Sequence, residues 1–230
     1  MKTYLLTITI CLSVGLANAQ QKMAREDMFP KSAKYYIKGG AAIPYAKIDS
    51  VIQSWGGKFM IGRATEGSEE KIYLEKPDSL MMKHHQEKME RTSEMIGKVA
   101  PSFELFDIYG TKYTLQNLKG KVIVLNFWFA GCEPCKEEMP ELNRLKEKYK
   151  DKGVVFLAIG RDNADRIKDF LKTNNFNYTL LCDGKKTIDA YQVFGFPTSM
   201  VIDKSGLVSY SQLGGAGIAE SLSREIDKQL

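Results

Sequence analysis

The run "KVIVLNFWF", Lys121 to Phe129, constrains this chain more than any other stretch. It is β-branched and aromatic, and it lacks the alternation of a half-exposed strand. Such a run predicts a strand buried on both faces. A strand of that kind needs a layer above and a layer below. Two cysteines, Cys132 and Cys135, follow it, and then a charged stretch at helical spacing through about Lys150.

The pattern around that strand repeats in kind. "GVVFLAIG" is a second buried strand, and "NADRIKDFLKTNN" a helix with Asn163 as its cap. "YTLLCD", "TSMVID" and "GLVSYSQLG" read as further strands, and "AGIAESLSREIDKQL" as the last helix. Upstream, "SFELFDIYGTKYTL" reads as a hairpin turning at Tyr109-Gly110. Strands alternating with helices predict an α/β fold with a central sheet covered on both faces.

Residues 20 to 95 differ. Gly-Gly pairs separate short strand-like runs, and Ile48, Val51, Ile52 and Trp55 fall at the spacing of a short amphipathic helix. "SLMMKHHQEKMERTSEMIG" reads as a polar helix leading into a linker, with His84 and His85 as solvated positions. The expected organisation is a leader over 1–19, a small α+β extension over 20–95, and the main domain over 96–230.

The leader is read from "MKTYLLTITICLSVGLANAQ". Lys2 is its charged start, Tyr4 to Leu16 its apolar run, and Ala17-Asn18-Ala19 its cleavage signal. An uncleaved membrane anchor is the alternative, although the run is short for a span of about 20 residues. Cleavage removes Cys11 and one positive charge from a formal balance of +5. Positive and negative residues are interleaved, so no nucleic-acid partner is expected.

Cys132, Cys135 and Cys182 then remain, too few for a disulfide scaffold. Cys182 closes a predicted strand and reads as a buried bystander; a regulatory thiol or an intermolecular link is the alternative. C-x-x-C serves redox chemistry, metal binding or a structural link. A zinc site needs four ligands, and only Cys182, His84 and His85 could join the pair. A structural link over so short a loop removes little unfolded-state entropy.

The redox reading suits the flanks. Cys132 opens a helix, where free N–H groups and the dipole favour a thiolate. Pro134 falls in the first turn, where its missing N–H costs nothing. Cys135, one turn in, is the less exposed. Cys132 is therefore the nucleophile and Cys135 the resolving thiol. The redox-active disulfide is itself the working group; no metal or other cofactor is expected.

The segments "GKVAPSFELFDIYGTKYTLQNLKGKVIVLNFWFAGCEPCKEEMPEL" and "FGFPTSMVIDKSG" resemble the thioredoxin superfamily, and within it the exported TlpA/ResA-like thiol-disulfide oxidoreductases with an AhpC/TSA-type domain. The resemblance covers about Ile96 to Leu230 and implies a thioredoxin-like fold. It implies a cis-proline at Pro197, preceded by Phe196, in a loop that holds a peptide beside the disulfide. It implies that Glu138 handles protons near the pair, and helical spacing from Cys135 agrees; Glu137 and Glu141 read as solvated. Asn126 stands where thioredoxin has a buried acid, which closes that proton route. Gly131 replaces the tryptophan usual before the first cysteine and should leave Cys132 more open. Trp128 and Phe127 read as core and wall.

Glu133 places a like charge beside Cys132, and no histidine lies between the cysteines. Both favour a reductant over an oxidase or isomerase. Resemblance then implies a periplasmic protein with a membrane-embedded thiol electron donor. Its targets would be oxidised cysteines of exported proteins, apocytochrome c among the candidates. A thiol peroxidase would need threonine or serine at Phe129 and proline at Leu125. A partner-binding module that merely retains the fold is the rival of a different class.

Overall fold

The computed structural model describes residues 29–57, 59–66, 69–215 and 217–230. The leader read over 1–19, Cys11 included, lies outside them. The described residues form two compact units, one holding those up to 84 together with Gly215 and Gly217, the other His85–Gly214 with Ile218–Leu230.

In the first unit, β1 (Lys34–Ile37), β2 (Ala42–Ile43), β3 (Met60–Glu66) and β4 (Glu69–Glu75) form a sheet ordered β2-β1-β4-β3. The β1–β2 turn uses Gly39 and Gly40, both at positive φ, which glycine adopts without a Cβ clash. Helix α1 (Ile48–Ser54) buries Ile48 and Ile52, which share a cluster with Tyr35, Ile43, Ile72 and Leu74. The helical spacing read from Ile48 to Trp55 is therefore met. The β3–β4 hairpin was not anticipated beyond the start of β3.

Helix α2 (Ser79–Ser93) follows, with His84 exposed; the side chain of His85 lies outside the described set. Next comes the hairpin of β5 (Glu104–Phe106) and β6 (Lys112–Thr114). The central sheet has the order β11-β10-β7-β8-β9, built from β7 (Ile123–Trp128), β8 (Val155–Gly160), β9 (Thr179–Leu181), β10 (Thr198–Ile202) and β11 (Val208–Leu213). Strands β7, β8 and β9 run parallel, while β10 and β11 are antiparallel additions. The sheet is therefore mixed.

Every residue of β7 is buried. Val122, Val124 and Trp128 join one core cluster, and Ile123, Leu125 and Phe127 the other. The first cluster takes in α3 (Glu133–Lys148), α4 (Ala164–Phe170) and α6 (Ile218–Gln229). The second takes in the β5–β6 hairpin, Leu118 and the short α5 (Lys185–Ala190). That two-sided burial is why the run needed no alternation. It also places Asn126, by alternation with Val124 and Trp128, on the α3 side.

Candidate active site

The strand delivers the chain to the site. After Trp128 the backbone leaves β7, and Ala130 N–H donates to Asp162 Oδ2 at 2.6 Å, tying this exit to the segment after β8. Cys132 N–H donates to the Phe129 carbonyl at 3.0 Å, closing a tight turn. Cys132 is the N-cap of α3 and Pro134 lies in its first turn. Cys135 N–H donates to Cys132 Sγ at 3.2 Å, so the capping acceptor is the sulfur itself. The two cysteines form a disulfide, with Cα atoms 5.3 Å apart.

Cys132 is 4% exposed and Cys135 1%. The order is as expected, but Gly131 does not leave Cys132 more open. The Phe129 ring lies 3.4 Å from where a Gly131 Cβ would stand, filling the space that the missing side chain vacates. Phe129 meets Phe196 edge to face at 5.4 Å, and the Arg161 guanidinium lies over Phe129 at 5.6 Å. Trp128 is fully buried beneath, against Phe170 and Phe176.

Glu133 is less simple than its charge. Lys136, one turn on, donates to it at 2.6 Å. The pair partly neutralises the negative field at Cys132, a partner that the reading of Glu133 alone overlooked.

The Phe196–Pro197 peptide is cis, and Pro197 is buried. Among the described residues, no hydrogen bond engages the backbone N–H or C=O of Phe196. The Pro197 carbonyl is taken, accepting from Gly214 N–H at 2.9 Å.

Glu138 lies on α3, partly buried, with Oε2 inaccessible to solvent. Oε1 and the edge of the Pro197 ring each sit against Gly214. Glu138 and Pro197, read from separate segments, thus meet at one point. Asn126 is buried and its Nδ2 donates to Ser199 Oγ at 3.1 Å. Its amide is spent on a cross-strand bond and carries no proton function.

Two residues of this neighbourhood escaped the sequence reading. The Tyr178 hydroxyl is buried and has no hydrogen-bond partner among the described residues. Burial, and secondarily the charge of Glu138, push its phenol well above the usual range. Gly214 is the other. Neither carries a local motif, because both reach the site through the fold.

Cys182 is a free, buried thiol donating to the Phe106 carbonyl at 3.3 Å. Burial first, then the charge of Asp183, push it up. Among the described residues, no group of three or more His, Cys, Asp or Glu side chains is gathered as metal ligands. No helix among them is long and apolar enough to cross a membrane.

Residues 96–211 match the model of the AhpC/TSA family. The chain is 43% identical over 121 residues to a thiol-disulfide oxidoreductase ResA of Bacillus cereus, covering 52% of this chain and 70% of that one. It is 40% identical over 145 residues to ResA of Bacillus thuringiensis subsp. konkukian, covering 62% and 80%. Among solved structures, the thioredoxin domain of a thiol-disulfide oxidoreductase from Bacteroides vulgatus superimposes with a TM-score of 0.52 at 28% identity, covering 58% of this chain and 96% of that one. With a disulfide at the start of α3 and a cis-proline loop in the same fold, the chain belongs to the AhpC/TSA family, as a thioredoxin-like, ResA-like thiol-disulfide oxidoreductase whose redox pair is Cys132–Cys135.

Proposed function

We propose that the protein is an exported reductase of disulfides in extracytoplasmic proteins, apocytochrome c being one candidate target. The observation that carries this reading is the disulfide capping α3 within the same core cluster as Phe196. The reduced Cys132 thiolate attacks one sulfur of a substrate disulfide. The substrate S–S bond breaks, its second sulfur leaves as a thiolate, and a mixed disulfide forms. The Cys135 thiol gives its proton to Glu138 and attacks Cys132 Sγ, expelling the first substrate sulfur. Two electrons pass to the substrate, and the protein is left oxidised. A membrane-embedded dithiol donor restores it.

The unengaged backbone groups of Phe196 support binding of an extended peptide. The absence of a histidine between the cysteines supports a reducing pair, as does Glu133, though Lys136 offsets part of its effect. Phe129 and Leu125 stand where a peroxidase would need other residues. The working division is a leader over 1–19, an N-terminal region over 20–95, and the redox domain over 96–230, with a periplasmic location following from the leader.

The reduction potential of the pair tests the direction. A value near that of thioredoxin, about −270 mV, is expected; one near −120 mV would make the protein an oxidase. In insulin reduction with dithiothreitol as donor, Cys132→Ser is expected to abolish turnover. Cys135→Ser should accumulate a mixed disulfide at Cys132, visible by mass. Unchanged turnover in Cys132→Ser would leave only a binding module.

A further inference from the structure

We infer that Gly214 is a positioning residue for the redox reaction: having no side chain there lets the Glu138 carboxylate and the Pro197 ring close on one stretch of backbone. The inference rests on the proton-handling role proposed for Glu138.

A Cβ at Gly214 would lie 2.6 Å from Glu138 Oε1, 2.8 Å from Pro197 Cγ and 3.1 Å from Pro197 Cδ. Carbon atoms pack best at about 3.5–4.0 Å. The φ of Gly214 lies outside the left-handed region, so the requirement is for space and not for backbone freedom. The backbone cannot retreat easily. Gly214 N–H donates to the Pro197 carbonyl, continuing the β10–β11 ladder beyond the Thr198–Leu213 pair. The same bond that fixes Gly214 therefore fixes it against the ring a methyl would strike. Pro197 is buried and rigid, and Glu138 Oε2 is buried as well. A methyl group at 214 must move the carboxylate, the proline loop or both.

The consequence falls on the resolving step. There the Cys135 proton passes to Glu138, and the thiolate attacks Cys132 Sγ as the bond to the substrate sulfur breaks. Proton transfer over a misplaced donor–acceptor pair is slow, because displacements near 1 Å cost up to about a hundredfold.

The test is insulin reduction with dithiothreitol as donor, followed from pH 5 to pH 9 in the full chain. Gly214→Ala is expected to lower the neutral-pH rate roughly tenfold and to move the midpoint of the pH profile. In a Glu138→Ala background the same change should leave the midpoint in place and cost clearly less of the rate, since the carboxylate is gone and only the Pro197 contact remains. Gly214→Ala/Glu138→Asp, which draws the carboxylate back by one methylene, should regain part of the rate. A wild-type rate and midpoint in Gly214→Ala, or an equal loss in both backgrounds, would overturn the inference. A wild-type profile in Glu138→Ala would overturn the role of Glu138; a slow Gly214→Ala beside it would sink this inference too, because the loss would pass through Pro197 alone. Should Gly214→Ala not fold, recovery of folding in the Glu138→Ala background supports the inference, and an equally unfolded double variant overturns it.

Discussion

Three buried thiol positions face different surroundings in this chain. Cys132 and Cys135 share a disulfide at a helix N-terminus, where the thiolate of the reduced form is favoured. Cys182 lies beside Asp183, its Sγ donating to the Phe106 carbonyl, and burial first, then the charge of Asp183, raise its pKa and favour the protonated thiol. It should therefore be inert. At pH 8 the oxidised, folded protein is expected to take up no iodoacetamide at Cys182, and guanidinium-unfolded protein to take it up fully, as read by mass. Cys182→Ala should leave insulin reduction unchanged. Labelling of the native thiol at the rate of a free cysteine would contradict this. At this scale the sequence is most legible where chemistry is local. The C-x-x-C pair and the cis-proline were read from short motifs. Gly214 and Tyr178 were not, because their meaning lies in side chains that only the fold brings near. Lys136 was overlooked for a different reason: Glu133 was weighed by its charge without its neighbour one turn away.

The β10–β11 hairpin shows how an element can be set by one carboxylate. Asp203 accepts from Ser205 N–H at 2.8 Å, Ser205 Oγ at 2.6 Å and Leu207 N–H at 3.0 Å. Burial works against the charge, but the bonds from Ser205, Leu207 and Gly206 outweigh it and hold the carboxyl below its usual range. The sign follows. With its native pKa depressed, Asp203 contributes stability above the unfolded value of about 3.9, and loses it as pH falls through the native value. Asp203→Ala should cost about 1–2 kcal/mol at pH 7, measured by urea unfolding, and the gap to wild type should narrow toward pH 3. An undiminished gap at pH 3 would refute the assignment. Among elements, β7, β8 and α6 were legible because long periodic or continuous apolar runs leave one reading. Helix α5 was not: six residues after a positive-φ Asp183 are too few for a helical period to show. Strand β4 was missed because its buried Ile72 and Leu74 alternate with charged residues and Tyr73 in a region without other landmarks.

Across the molecule, the central sheet keeps two cores apart, and each holds a phenol that cannot ionise cheaply. Tyr178 lies in the α3-side core and Tyr191 in the other. Burial pushes both up, and neither hydroxyl has a hydrogen-bond partner among the described residues. An unfolded phenol ionises near pH 10. Stability is thus fully present below that value and is lost as pH rises toward the raised native values. Tyr178→Phe and Tyr191→Phe should each move the alkaline limb of the urea midpoint to higher pH. Near neutrality each change should be neutral or stabilising by about 1 kcal/mol, because removing an unpaired buried hydroxyl leaves nothing unsatisfied. A loss above about 2 kcal/mol would mean the hydroxyls have partners after all. The unengaged backbone groups of Phe196 have a last consequence. On the peptide-binding reading, a site that grips main chain instead of particular side chains selects by conformational freedom. Nascent chains present extended segments, and finished folds have withdrawn theirs into their own ladders. The protein would then act as a timer, able to open a disulfide while its bearer is still unfinished and losing access as folding completes.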